Sequence, residues 1–142
     1  MKSSFTVAAV ILLAGCAFTP RTDRVSIQKY DEIYDCAGAE NPVRANCGER
    51  FKDTELSGQL AEIKLAGESP LLYLLMRGDQ YYVGCGLAGP QNRDQLASLN
   101  PGDMVTVKGT PVERRFVHAN GGGSSATITF RPCAIVAVKQ RT

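Results

Sequence analysis

The second half of the chain shows the two-residue period of hydrophobicity that is typical of β-strands. Val105 and Val107 alternate with Thr106 and Lys108, which predicts a strand with one buried face. Gly109 follows directly and indicates a bulge or a sharp bend in that strand. This segment carries the clearest strand signal in the sequence.

Five segments are predicted to form strands, and turn residues separate them. They cover residues 58–66, 71–76, 81–85, 103–112 and 126–138. Gly78 and Asp79 predict a tight turn between the second and third strands. The polar stretch 113–125 contains three consecutive glycines and predicts a loop. The last strand is expected to break near Pro132, because proline has no main-chain N–H to donate.

Two short helices are predicted beside the strands. In the first, apolar positions have the spacing of one helix face. These positions are Tyr30, Ile33, Tyr34 and Ala37. Ser26 is a candidate N-cap of that helix. The second helix is predicted over residues 91–99, between the third and fourth strands.

The order of three strands, one helix and two strands matches the OB-fold, a five-stranded Greek-key barrel. The segment Asp103-x-Val-x-Val-x-Gly109 resembles the strand that OB-fold domains of exported bacterial proteins place after their helix. We therefore expect a mainly β protein with a small five-stranded OB-like barrel and one short helix between strands 3 and 4. A short helix and a disulfide-closed loop precede the barrel. A small β-sandwich or a meander is the alternative fold.

The first sixteen residues have the layout of a signal peptide. A start with one charge precedes an apolar run from Phe5 to Leu13, which is too short to cross the roughly 30 Å hydrocarbon core of a bilayer. The run ends in Leu13-Ala14-Gly15-Cys16, which resembles the lipobox of bacterial lipoproteins. The resemblance implies that Cys16 receives a lipid, and that cleavage before it removes residues 1–15. An ordinary signal peptide or a buried apolar segment is the alternative.

Lipid on Cys16 implies a protein that is exported and held on a membrane. Ala17 stands where the sorting rules of Gram-negative lipoproteins look for an Asp, so the resemblance implies the outer membrane, facing the periplasm. The chain then divides into four parts. They are the signal peptide at 1–15, a lipidated tether at 16–24, a short helix and disulfide loop at 25–57, and the OB-like barrel at 58–142.

Four cysteines remain once Cys16 is modified. An even number of cysteines in an exported chain favours two disulfides, and no tight C-x₂-C pair suggests zinc. Of the three possible connectivities we favour Cys36–Cys47 and Cys85–Cys133. The alternative is that Cys85 and Cys133 are buried free thiols.

Charge and motifs favour a protein that is not an enzyme. Removal of Lys2 leaves fifteen Lys and Arg against fourteen Asp and Glu in the mature chain, a balance that predicts no polyanion-binding stripe. His118 is the only histidine, in the predicted loop, and neither a nucleophile elbow nor a phosphate loop is present. We expect no catalytic residue, no cofactor and no metal site.

Candidate binding residues lie where OB-folds commonly bind, on strands two and three and in the loop between strands four and five. They are Tyr73, Arg77, Tyr81, Tyr82, Arg114, Arg115, Phe116 and His118. Aromatic and arginine side chains are enriched at binding hot spots. Alternatively, the tyrosines fill the core and the arginines only solubilise the surface.

The sequence favours an envelope protein as the partner, within a membrane or secretion assembly. The alternative is a module that binds a glycan, a peptide or a metal, or that inhibits an enzyme. Nucleic acid is not expected, because the chain is predicted to be exported.

Overall fold

A computed structural model describes residues 24–41, 46–65, 70–78, 80–87, 92–118 and 124–140. The predicted signal peptide, the lipid site at Cys16 and most of the tether lie outside the described residues. So do Asp79 of the predicted turn and the three consecutive glycines at 121–123. Within the described ranges, no helix has the length and apolar character needed to cross a membrane.

The described part of the chain contains three helices and five strands. In chain order they are α1 (Arg24–Ala37), α2 (Cys47–Arg50), β1 (Thr54–Lys64), β2 (Leu71–Arg77), β3 (Tyr81–Leu87), α3 (Asn92–Ala97), β4 (Met104–His118) and β5 (Ser124–Lys139). The strands close into a barrel in the order β1-β2-β3-β5-β4. Neighbours are antiparallel except β3 and β5, which are parallel. The predicted mainly β class, five-stranded barrel and helix between the third and fourth strands are confirmed.

Alternation in the first part of β4 places two of its valines in the core, as predicted. Val105 and Val107 are fully buried. Gly109 lies where β4 crosses β5 so closely that an added Cβ would be 2.7 Å from the carbonyl oxygen of Pro132. The register of the pair shifts between Gly109 and Pro111. The irregularity expected at this glycine is therefore present as a register shift, and any larger residue there would push the two strands apart.

β1 begins at Thr54, four residues before the predicted boundary at 58. Leu56, outside the predicted strand, is fully buried in the core. The alternation is imperfect because a register shift lies between Leu60 and Glu62. Such a bulge adds one residue to a strand and changes which positions face inward.

The predicted loop at 113–125 is wrong for most of its length. β4 continues to His118 and β5 begins at Ser124, so both sides of this segment are paired strand. The predicted break near Pro132 is present in the pairing, although β5 continues as one strand: neither Arg131 nor Pro132 is paired with β3 or β4, and both registers shift there. Charged and glycine-rich composition predicted a loop here, but main-chain pairing between the two strands stabilises an extended hairpin.

α1 covers one end of the barrel. The side chains of Tyr30 and Ile33 on its inner face are fully buried, and the Tyr30 hydroxyl donates a 2.9 Å hydrogen bond to the carbonyl oxygen of Tyr82. Ser26 is not an N-cap, because the helix begins two residues earlier. Its hydroxyl instead accepts a 2.9 Å hydrogen bond from the main-chain N–H of Ser57 on β1. The helix face predicted from spacing therefore docks on the barrel.

α3 lies at the opposite end, after β3 and before β4. Leu96 and Leu99 from this region join the buried core. The main-chain N–H of Leu60 donates a 2.8 Å hydrogen bond to the carbonyl oxygen of Asp103. The main-chain N–H of Gly102 donates a 2.8 Å hydrogen bond to the carbonyl oxygen of Leu60. These bonds fix the segment after α3 against β1.

Both predicted disulfides are formed. Cys36–Cys47 joins the end of α1 to α2 and closes the loop after the helix. Cys85–Cys133 joins β3 to β5, and both of its cysteines are buried. The alternative of buried free thiols at Cys85 and Cys133 is therefore wrong.

Stability should fall in alkali partly because of Tyr30. Burial, together with the nearby acidic groups Tyr34 and Asp31, raises the pKa of Tyr30 above its ordinary value of 10.0. The phenol therefore stays protonated in the folded state while it ionises in the unfolded state, and its contribution to stability is present below pH 10 and declines above it. We expect the free energy of unfolding to decline between pH 10 and 11 by about 1 kcal/mol more in the parent than in Tyr30→Phe. Urea unfolding at several pH values measures this, and equal slopes would contradict it.

Candidate binding groove

A groove of about 540 Å³ lies on the outer face of the barrel. Residues from all five strands line it, and β2, β3 and β5 form its middle. The outward positions of β3 are Tyr82, Gly84 and Gly86, since Val83 and Cys85 between them are buried in the core. The groove therefore lies over two adjacent outward glycines.

Neighbouring side chains lean over the first of these glycines. A Cβ added to Gly84 would lie 3.2 Å from Thr127, 3.3 Å from Leu71 and 3.5 Å from Tyr73. Leu71 and Tyr73 come from β2, and Thr127 comes from β5. A side chain at position 84 would compete with all three for the same space, so the glycine keeps the groove concave.

Cross-strand register orders the lining into rows. Each row runs across the strands at right angles to their direction. The first row is Glu62, Tyr73, Gly84, Thr129 and Glu113, and the second is Tyr82, Thr127 and Arg115. In the first row, a carboxylate stands at each end, and Tyr73, Gly84 and Thr129 lie between them. In the second row, Arg115 stands at one end, next to Thr127 and Tyr82.

The charges of the groove are only partly paired. Arg115 Nε lies 3.1 Å from Glu113 Oε1, but both side chains are exposed, so the ion pair contributes at most about 1 kcal/mol to stability. Lys64 Nζ lies 5.5 Å from the centroid of the Tyr73 ring. Within the described residues, neither Lys64 nor Arg131 lies within ion-pair distance of a carboxylate. Two cations of the lining are therefore available to a ligand.

The structure divides the predicted binding residues between two surfaces. Tyr73, Tyr82 and Arg115 line the groove. Arg77, Tyr81, Arg114 and Phe116 face α1, where the Phe116 ring meets the Tyr34 ring edge to face with centroids 6.4 Å apart. His118 is the last residue of β4, and its side chain lies outside the described part of the structure. The prediction that Arg114, Arg115, Phe116 and His118 lie in a loop is wrong, because all four belong to β4.

Arg114 packs against α1 and not into the groove. Its guanidinium carbon lies 4.3 Å from the centroid of the Tyr34 ring and 4.7 Å from that of Phe116. Its Nη1 donates a 3.2 Å hydrogen bond to the carbonyl oxygen of Tyr34. Gly38 leaves the space for this guanidinium, since an added Cβ would overlap with Arg114 Nη1.

Arg77 and Tyr81 also contact α1. Arg77 Nη1 donates a 2.8 Å hydrogen bond to Asp31 Oδ1, and this bond raises the pKa of Arg77. The Tyr81 ring meets the Tyr34 ring edge to face, with centroids 5.7 Å apart. Both residues therefore help to position the helix on the barrel.

Strand alternation turns the adjacent residues Arg114 and Arg115 to opposite faces of β4, and a bulge sets which of them faces the groove. The register shifts between Pro111 and Glu113, so Val112 is an extra residue of β4. Beyond it, Arg114 pairs with the buried Ile128, while Arg115 pairs with Thr127 of the groove. The sequence predicted neither the bulge nor this separation.

Most residues of the groove lining were not predicted from the sequence. The missed residues are Ala61, Glu62, Lys64, Leu71, Glu113, Ser125, Thr127, Thr129 and Arg131. One signal for some of them is present, because Thr127, Thr129 and Arg131 alternate with the apolar Ile128 and Phe130. That alternation indicates an outward row of hydroxyl groups ending in an arginine.

The groove offers hydroxyl groups, two phenol rings and both signs of charge on a concave surface. Such a lining suits reversible binding of a polar ligand. In the described ranges, no group of three or more His, Cys, Asp or Glu side chains could hold a metal ion. Comparisons of this chain with models of protein families and with curated protein sequences find no match.

Proposed function

We propose that this chain is a membrane-anchored, non-enzymatic lipoprotein that binds another component of the cell envelope in the groove. The observation that carries the proposal is the concavity over Gly84 and Gly86 of β3, which takes in outward residues of β2 and β3, a common binding face of OB-folds. Its lining contains Tyr73, Tyr82 and Arg115, residue types that contribute strongly to binding.

The proposed anchor is lipid on Cys16, based on the resemblance of residues 13–16 to a lipobox. Two disulfides support an oxidising compartment such as the periplasm. Ala17 supports the outer membrane as the site of the anchor. Together these features support a barrel that is held close to a membrane and meets other envelope components there.

The character of the lining supports binding rather than catalysis. Its acidic residues are Glu62 and Glu113, and Glu113 is already paired with Arg115. Catalysis by proton transfer requires an acid or base positioned at the reacting atom, usually with a shifted pKa. The exposed ion pair offers no such arrangement, so we propose no catalytic residue and no cofactor.

Two classes of partner fit the proposal. The first is a protein subunit of a membrane or secretion assembly, for which the anchor argues. The second is a small or polymeric ligand such as a glycan or a peptide. The hydroxyl groups of Ser125, Thr127 and Thr129 favour the second class, because they offer directional hydrogen bonds where a protein interface core is usually apolar. Nucleic acid is not proposed, because the chain is predicted to be exported.

Capture from membranes tests the proposed function. The tagged, lipidated protein is gently cross-linked in membranes and purified, and its bound components are identified by mass spectrometry and sugar analysis. We expect at least one component to be recovered reproducibly and to decrease about tenfold with Arg115→Glu, which reverses a charge in the groove.

Lys108→Glu is the matched control. Lys108 is exposed on β4, as Arg115 is, but it does not line the groove. Recovery should be the same with Lys108→Glu as with the parent. If no recovered component depends on Arg115, or if both variants lower its recovery equally, the groove is not the binding surface and the proposal fails.

A further inference from the structure

Arg131 of β5 lies across the outward face of Gly86 on β3. A Cβ added to Gly86 would be 3.2 Å from Arg131 Cγ and 3.3 Å from Arg131 Nε. The glycine therefore lets the arginine side chain lie flat over the strand, along the surface of the groove.

Lys64 brings a second cation to the same end of the groove. It pairs with Leu71 on β2, and Leu71 pairs with Gly86. Strand spacing of about 4.8 Å puts the main chains of Lys64 and Gly86 about 10 Å apart. The two long side chains can reach one ligand group from opposite sides. Neither has a carboxylate within ion-pair distance in the described part of the chain.

The middle of the groove carries groups that suit sugars. The phenol rings of Tyr73 and Tyr82 offer apolar faces with polar tips. Thr127 and Thr129 add hydroxyl groups, and Glu62 adds a hydrogen-bond acceptor. This density of donors and acceptors beside aromatic rings matches a chain of hydroxyl-rich rings.

We propose that the groove binds an anionic glycan, with its acidic group between Lys64 and Arg131 and its sugar rings along Tyr73 and Tyr82. The inference rests on the proposed function and names the ligand class of that same groove. The ligand class is a sugar chain that bears carboxylate or phosphate groups.

An acidic peptide fits less well. Extended peptides usually bind at a sheet edge, where unpaired main-chain groups hydrogen-bond to them. The groove lies on the face of the sheet, and β3 at its centre pairs with β2 on one side and β5 on the other. A ligand in the groove therefore contacts side chains only. A peptide could not form main-chain hydrogen bonds with the sheet there, whereas the hydroxyl groups of a glycan can hydrogen-bond to the side chains.

Binding of matched probes tests the inference. The full lipidated protein in detergent is titrated with tetragalacturonate, with its neutral methyl ester, with a phosphorylated mannose oligomer and with pentaglutamate. We expect measurable binding of one or both anionic glycans, and at least about fivefold weaker binding of the ester and of pentaglutamate. Preference between carboxylate and phosphate identifies the acidic group.

Arg131→Gln should weaken binding of the anionic glycan about fivefold, while Lys108→Gln should leave it unchanged. Thermal unfolding of both variants verifies that they are folded. Failure of both anionic glycans to bind, equal binding of the ester, or stronger binding of pentaglutamate would overturn the inference. A protein recovered from membranes through Arg115, with no glycan binding, would overturn this inference and leave the proposed function standing.

Discussion

Replacing Cys85 and Cys133 together with alanine is expected to lower the free energy of unfolding by about 4 kcal/mol. The disulfide joins residues separated by 48 positions, so it strongly restricts the unfolded chain. It also ties β3 to β5 at the end of their parallel pairing, where the register shifts. Equilibrium unfolding in urea under non-oxidising conditions measures the change, and the double variant leaves no unpaired thiol at this site.

The other disulfide provides the comparison. Cys36 and Cys47 are separated by only 11 positions, so replacing both with alanine should cost about 3 kcal/mol. This variant should loosen α1 and α2 while the barrel keeps its own crosslink. A loss below about 1 kcal/mol for the Cys85 and Cys133 variant would contradict the expected role of that disulfide.

Tyr30→Ala is expected to lower the free energy of unfolding by about 3–5 kcal/mol, the usual cost of removing a buried aromatic side chain. Tyr30 is fully buried between α1 and the barrel, and its ring lies 6.3 Å from that of Tyr34. The substitution leaves a cavity at the covered end of the barrel. Urea unfolding measures the loss, and amide hydrogen exchange should show reduced protection in α1.

Tyr30→Phe separates packing from hydrogen bonding. It keeps the ring and removes only the bond to the Tyr82 carbonyl oxygen, so the expected loss is about 1 kcal/mol. If the phenylalanine variant loses as much as the alanine variant, then the hydrogen bond and not the buried ring holds α1 on the barrel.

The barrel was predictable because local alternation reports which face of a strand is buried. Val105 and Val107 show this, and the spacing of Tyr30 and Ile33 likewise identified the inner face of α1. The cysteine pairs also followed from simple considerations of count and sequence distance. These features depend on neighbours along the chain, which a sequence displays directly.

The extended hairpin of β4 and β5 was not predictable in the same way. Glu113, Arg114 and Arg115 have the composition of a loop, and their strand geometry comes from pairing with residues on β5. Composition cannot report such a partner. Local propensity lost to main-chain hydrogen bonding between the two arms of the hairpin.

The candidate site was only partly predictable for a related reason. Aromatic and arginine residues were identified by type, but type does not say whether Arg77 and Tyr81 bind a ligand or the protein's own helix. Gly84 and Gly86, which keep the groove concave, carry no side chain that a search for reactive groups would notice. Their role depends on what the neighbouring strands place over them.

The extra residue at Val112 also locks the β4 strand against slippage. Sliding β4 by one position beyond the bulge would turn Arg115 toward the interior and Arg114 toward the groove. The slip would take the Arg114 guanidinium away from the Tyr34 ring and carbonyl oxygen on α1, and it would move Phe116 to the groove side of the strand. The extra residue therefore sets the alignment of the hairpin, and that one alignment determines both the helix contact of Arg114 and the groove position of Arg115.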